Sequence, residues 1–477
     1  MEKKSLATNS LFFILYRLIN MVFPLITVTY VSNVILASGV GKVASAQNIA
    51  RYFVLLASLG IPNYGVREIA RCSENIKQRN LLFSELFFKN AASTMLCFIG
   101  YYLLLMKTDI SQGNIALYAI VGIEIFLNFF NVDWFYYGNE EYSYIAIRSF
   151  YIKIISLLLM YIMIRKPSDY IGYAFIYVIG TASNNIINFV NLRKYEVQIT
   201  LKNLNIWKHW KSVMVLACTV FAIELYTLFD TTMLTFMASD EVVGYYSNSM
   251  KIVKVVITLI TAVGGVILPR LTYYYSKGMR DKCTTVVNVV FKIMFFLFMP
   301  CMIGIALLAD VVIPILFGVT FMEAIPTLRI ASLLIFALGF SNLFGRQVLL
   351  TFGDEKKLLI ATICGAISNL LLNLLLIPRF MQNGAVVASI CSECIVTIMT
   401  FIFARKRLPI TLDLPVILKC SISSVAMVSG ILVIRLFMHN EFLVLILSVT
   451  IGAIIYFVMN IIIKNPVVRD FRDILKK

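Results

Sequence analysis

About fourteen apolar segments, each long enough to cross a hydrocarbon layer, follow one another with only short connections between them. They run 8 to 36, 43 to 66, 81 to 106, 115 to 137, 147 to 164, 170 to 192, 212 to 237, 244 to 269, 284 to 309, 325 to 350, 357 to 377, 384 to 404, 415 to 436 and 442 to 463. In hydrocarbon a backbone N–H or C=O has no water to bond, so such segments must be helices that satisfy their own polar groups. The expected fold is an all-α polytopic membrane protein. Only 14% of the 477 residues are charged, where a soluble domain carries about 25%. Nearly every residue therefore belongs to a span or a short connection, and no soluble catalytic domain is expected.

The net charge of +17 would raise nucleic acid as a partner in a soluble protein. Basic connections beside apolar spans have another cause, since positive charge marks the cytoplasmic side. Alternate connections carry it here: Lys3 and Lys4; Arg67, Arg71, Lys77 and Arg79; Arg148; Arg193 to Lys211; Arg270 to Lys282; Lys356 and Lys357; Arg405 to Arg407; and the tail from Lys464. The intervening connections hold few cations and the acids Asp109, Asp240, Glu241, Asp310 and Glu441. Both termini are expected in the cytoplasm, and nucleic acid is not an expected partner. The apolar run from Leu11 to Leu36 contains Arg17 and Pro24 and is too long for a signal-peptide core, so it reads as a retained first span. Nine scattered cysteines and two histidines give no zinc pattern, and packed, reduced thiols are expected.

The chain looks duplicated. Aligning Gly41 with Gly244 places Arg51 on Lys254 without a gap, and the stretches Gly41 to Arg71 and Gly244 to Arg270 each end in a proline followed shortly by arginine. Gly138 to Ala146 matches Gly353 to Ala361, each after a helix carrying Asn128-Phe129-Phe130 or Asn342-Leu343-Phe344. Gly172-Tyr173-Ala174 lines up with Gly384-Ala385-Val386 at nearly the same offset. The expectation is two pseudosymmetric six-helix bundles, 1–193 and 212–404, joined by the cytoplasmic segment 194–211. Residues 405–477 add two helices and a basic tail. Trp207 and Trp210 in the connecting segment mark an amphipathic stretch at the membrane interface.

Ionisable residues inside spans are functional candidates because charge at membrane depth costs about 2.5 to 3.5 kcal/mol on insertion scales. They are Arg17, Arg51, Glu124, Lys153, Glu224, Asp230, Lys251, Lys254, Lys292, Arg329 and Glu393. Lys251 and Lys254 share a helix face, and the repeat pairs that face with Arg51. With Arg17 they are expected to line a positive cavity for an anion, best a phosphate, whose oxygens match guanidinium forks. Lys153, Lys292 and Arg329 lie nearer span ends and are expected to snorkel. Glu124, Glu224 and Asp230 could take up a proton, coordinate sodium or pair with a cation, and the residues alone leave these open. Prolines 24, 62, 269, 300, 314 and 326, with Gly264 and Gly265, imply bent helices. There is no phosphate-binding glycine loop, no HExxH and no clustered acid pair outside the spans, so ATP hydrolysis and metal-dependent glycosyl transfer are not expected, nor a cofactor.

The runs PLITVTYVSNVILASGVGKVASA, LLASLGIPNYGVREIAR, LYTLFDTTMLTFMASDEVVGYYSNSMKI, LPRLTYYYS, FGDEKKLL and NGAVVASICSE resemble the Wzx-type polysaccharide-biosynthesis flippases of the multidrug/oligosaccharidyl-lipid/polysaccharide (MOP) exporter superfamily. The resemblance covers nearly the whole chain. It implies an inner-membrane transporter of two helix bundles that turns over a polyprenyl-pyrophosphate-linked oligosaccharide by alternating access, with polysaccharide polymerase and chain-length proteins as candidate partners and H+ or Na+ as candidate coupling ions. The chain departs from the family wording at Asn33, where arginine is frequent, and at Ala37-Ser38, where Gly-Pro is common. Asp230 stands in the familiar Phe229-Asp230-Thr231 context. The competing readings are a cation-coupled drug exporter of the same fold, which predicts an acidic cavity, and a membrane glycosyl polymerase or ligase, which predicts a large outer loop. A non-transporting scaffold would leave the intramembrane charges without a role.

Overall fold

The computed structural model describes residues 6–72, 75–111, 113–201, 204–411 and 413–469. Among them every regular element is helical, and each apolar segment read from the sequence coincides with helical backbone. In chain order these are α1 Leu6–Ser58, α2 Ile61–Cys72, α3 Ile76–Lys107, α4 Ile115–Leu127, α5 Asp133–Gly138, α6 Tyr142–Met163, α7 Tyr170–Asn191 and α8 Trp210–Met237. There follow α9 Asp240–Ser276, α10 Arg280–Phe317, α11 Ala324–Ala331, α12 Leu334–Ser341, a π-helical stretch Asn342–Leu349, α13 Glu355–Arg405, α14 Leu414–Phe437 and α15 Glu441–Ile462. Eight helical stretches of the described residues are long and apolar enough to cross a membrane, and two of these are 51 residues long.

The two longest helices are broken rather than straight. Leu36 (φ 61°, ψ −179°) divides α1, and Met381 (φ 49°, ψ −128°) divides α13 three residues after Pro378. Leucine and methionine at positive φ are strained, and each marks the turn between two successive apolar segments. Pro24 lies inside α1, and Pro300 and Pro314 inside α10, where each removes an intrahelical hydrogen bond. Pro62 instead opens α2 and Pro326 lies in the first turn of α11, where a missing N–H costs little. Gly264, Gly265 and Pro269 belong to the backbone of α9, and the Pro269 side chain lies outside the described residues.

The repeat noticed around Asn128 and Asn342 has a structural counterpart. At both places the chain leaves α-geometry, but in opposite senses, to a tight 3-10 turn at Asn128–Phe130 and to the wide π-helix at Asn342–Leu349. In the first copy the break is filled by a buried amide network. Asn90 donates to the Asn128 carbonyl at 2.7 Å, while Asn128 donates to Thr94 Oγ1 at 3.0 Å and accepts from Ser58 and Asn131.

Two compact units form, Met1–Thr235 and Phe236–Lys477. The core of the first is aromatic, with Phe83, Trp134, Phe135 and Tyr136 fully buried against Ile61 and Ile69. Gly60 turns the chain from α1 into α2 at φ 70°, with its Cα face pressed on the backbone of Leu216 and Ala217 in α8. In the second unit α14 and α15 pack on α10, where the buried Tyr456 hydroxyl donates to the Phe296 carbonyl at 2.8 Å. Cys283 and Cys420 are packed as expected, whereas Cys218, Cys364, Cys391 and Cys394 are exposed, because they lie on the outward faces of their helices.

A charged clasp closes one end of the second unit. Arg407 grips Asp354 with two hydrogen bonds of 2.6 and 2.8 Å, and Lys357 adds a third contact at 3.1 Å. The bidentate Arg407 fork, helped by Lys357, holds the Asp354 carboxyl well below its usual range, at about 2. A depressed carboxylate pKa stabilises the fold above the unfolded value near 4 and loses that contribution as pH falls toward 2. Asp354→Asn is therefore expected to lower the unfolding temperature at pH 7, with the gap to the parent narrowing steadily between pH 4 and pH 2.

Candidate functional site

Arg51 lies one residue before Tyr52 in the part of α1 that follows the Leu36 break, and its side chain is exposed. The half-buried Glu124 of α4 is within electrostatic range of its guanidinium, and Tyr177 of α7 is within range of both. A cation predicted to await an anion thus has an internal carboxylate as neighbour. The backbone of Arg17 belongs to α1, but its side chain lies outside the described residues.

Asp230 is buried at 6% exposure in α8. One residue pair away, Thr232 Oγ1 gives its proton to the Leu228 carbonyl at 2.9 Å, so it accepts from both Asn48 Nδ2 at 2.7 Å and the Tyr52 hydroxyl at 2.8 Å. Thr235 adds a bond to Ser45 at 2.9 Å. This polar seam joins α8 to the residues on either side of Arg51, and Tyr52 lies within range of the Asp230 carboxylate. Glu224 is half-buried two turns earlier in α8.

In the second unit, Lys251 and Lys254 share a face of α9 as the spacing requires and feel one another's charge. Lys251 is half-buried and donates to Asn248 Oδ1 at 3.3 Å, while Lys254 is exposed. Glu393, at 6% exposure in α13, accepts from Ser341 at 3.3 Å.

Three cations expected to snorkel behave differently from one another. Lys292 does find a partner at a helix end, Asp413 at 2.7 Å, and the half-exposed Arg329 reaches Asp310 at 3.6 Å. Lys153 instead is 7% exposed and its ammonium bonds the Asn20 side chain of α1.

A second polar centre escaped the sequence reading. His209 Nε2 meets Glu85 Oε2 at 2.8 Å and its Nδ1 meets the Tyr64 hydroxyl at 2.7 Å, all three groups being buried. With Glu85 ionised, Nε2 donates, and a neutral ring then accepts the Tyr64 proton. Glu85 also accepts from the Asn205 amide at 2.9 Å, and Lys89 lies one turn on, its ammonium 5.7 Å from the Trp210 ring. These contacts fasten the connecting segment to α2 and α3. The signal was present: Glu85 and Lys89 lie four apart inside the segment 81 to 106.

A family model described as polysaccharide biosynthesis protein matches residues 6–274, and one described as lipid II flippase MurJ matches residues 147–451. A protein of Shigella dysenteriae named "Putative O-antigen transporter" is 23% identical over 397 residues, spanning 82% of this chain and 98% of its own length. A solved lipid II flippase MurJ in an inward closed conformation superposes with a TM-score of 0.77 at 16% identity, over 97% of this chain and 99% of that one. An inward-facing multidrug resistance MATE family transporter of the MOP superfamily superposes with a TM-score of 0.66 at 15% identity, over 83% and 98%. The two solved structures share the fold of this chain.

Proposed function

Because this chain belongs to the polysaccharide biosynthesis protein family, we propose that it turns polyprenyl-pyrophosphate-linked oligosaccharide repeat units across the cytoplasmic membrane. It is a multi-pass membrane flippase of the MOP superfamily, a transporter and not an enzyme. The observation that carries the substrate class is the presence of cations on membrane helices at repeat-related positions, Arg51 on α1 and Lys251 with Lys254 on α9. Guanidinium and ammonium groups held at membrane depth favour a ligand with several negative oxygens, and pyrophosphate has them. A drug exporter for cations would gain nothing from these faces.

In this reading Arg17, Arg51, Lys251 and Lys254 attract the pyrophosphate, while the prenyl chain stays in lipid. Glu124 neutralises Arg51 between substrates, and Glu124, Glu224 or Asp230 accepts the coupling proton or sodium ion. The two halves defined by the sequence repeat alternate in access, with both termini on the cytoplasmic side, as the basic connections favour. Polymerase and chain-length proteins would take up the product on the outer face.

Sidedness of the lipid-linked sugar in proteoliposomes tests the reading, using a lectin that reaches only the outer leaflet. Accessibility is expected to rise when the protein is present and an ion gradient is imposed. Sidedness that stays unchanged under both proton and sodium gradients would overturn it.

A further inference from the structure

Lys153 lies in α6 five residues beyond Arg148, the cation of the basic connection before this span, and it lines an apolar crevice of about 320 Å³ whose walls include Val22, Phe23 and Ile26 on α1 and Phe150 and Ile154 on α6. Its ammonium bonds the Asn20 side-chain oxygen and lies 5.3 Å from the centre of the Phe23 ring. Among the described residues no carboxylate pairs with it. An ammonium offers three donors, and a single neutral amide oxygen neither fills them nor compensates the charge. The rim residues Val22, Ile26 and Phe150 are exposed, so on membrane helices the crevice opens to lipid.

Pro24 lies between these groups on α1, and its missing N–H leaves the Asn20 carbonyl without its helical donor. The pocket therefore combines a missing rung in the α1 hydrogen-bond ladder, a buried cation and an apolar trough, which together match an amphiphile rather than a small ion. One ammonium balances one negative charge. A zwitterionic lipid brings its own ammonium and gains no net attraction, and a pyrophosphate would be left largely uncompensated.

We infer that the crevice is a lateral site for a bilayer phospholipid with a single anionic phosphodiester, its phosphate on Lys153 and one acyl chain along the trough between α1 and α6. Neither Arg51 nor Glu124 lines the crevice, and the inference does not depend on what the protein transports. A bound lipid bridges the Pro24 turn of α1 to α6.

The test uses the full chain taken from vesicles of equal phosphatidylglycerol and phosphatidylcholine, with retained lipid counted by native mass spectrometry. Phosphatidylglycerol is expected to be retained roughly fivefold over phosphatidylcholine, the ratio that about 1 kcal/mol per cation gives. Lys153→Met should abolish the preference and Lys153→Arg should keep it. Independently of how the Lys153 variants fold, Phe23→Trp fluorescence should be quenched more by brominated phosphatidylglycerol than by the brominated phosphatidylcholine, after subtracting the parent protein. Equal retention of the two lipids, equal quenching, or a preference that survives Lys153→Met would overturn the site. Displacement of phosphatidylglycerol by a polyprenyl pyrophosphate would also overturn it, by giving the crevice to the transported lipid.

Discussion

Replacing Arg51 with alanine is expected to slow flipping of the lipid-linked sugar by roughly 10- to 100-fold at unchanged protein abundance. That is what losing charge-assisted bonds of about 1.5 to 3 kcal/mol predicts. The effect has two candidate causes, because Glu124 lies within range of the guanidinium. Removing the arginine deprives an anionic substrate of its contact, and it also strips a half-buried carboxylate of its nearest cation. The Arg51→Ala/Glu124→Gln double variant separates them. If the loss comes from the substrate contact, the double variant transports more slowly than Glu124→Gln alone, which controls for any coupling role of the carboxylate. If it comes from the orphaned carboxylate, the double variant recovers. Full transport by Arg51→Ala alone would remove this residue from the binding site, and the same measurement on Lys254→Ala checks the repeat-related face of α9.

The second large effect concerns Gly60. At φ 70° an L-residue is strained by about 1 to 3 kcal/mol, and a Cβ added there would lie 2.6 Å from the Ala217 amide nitrogen and 2.9 Å from the Leu216 carbonyl carbon. Both obstructing atoms are main chain, so neither can rotate away, and relief requires α8 to shift as a body. Gly60→Ala is expected to destabilise the first unit by roughly 2 to 5 kcal/mol, adding overpacking to strain. Membrane abundance and the unfolding temperature of the purified protein measure it. A variant that accumulates and melts like the parent would show that the close approach of α1 to α8 is not maintained.

The helical architecture was legible in the sequence because hydrocarbon leaves the chain so few options: apolar length alone locates the helices. The repeat was legible for the same reason, since the Gly138 and Gly353 turns and the Asn128 and Asn342 breaks each interrupt an apolar run. What the pattern could not convey was how a break is resolved. Asn128 and Asn342 look alike in sequence, yet one tightens and the other widens, because the groups that receive Asn128, Ser58 of α1 with Asn90 and Thr94 of α3, are remote in the chain.

The candidate charges were legible as positions, not as partnerships. Arg51 and Glu124 stood in one inventory without any sign that they meet, since their encounter depends on how α1 packs on α4. Lys153 was read as a snorkelling residue because its distance from the span end allowed it. Packing of α6 against α1 gives its ammonium the Asn20 side chain instead. The centre of Tyr64, His209 and Glu85 was missed for another reason: His209 lies in a connection, where polar residues are unremarkable, and only the fold carries it to Glu85.

That centre bears on biogenesis. The bonds of Tyr64, His209 and Glu85, and the seam from Ser45, Asn48 and Tyr52 to Thr232 and Thr235, lie within Met1–Thr235. A nascent chain that has released α8 from the ribosome already holds both partners of each of these bonds. His209 can dock on Glu85 before any residue of the second unit has been synthesised, so the order of translation is also an order in which polar groups at membrane depth find their partners.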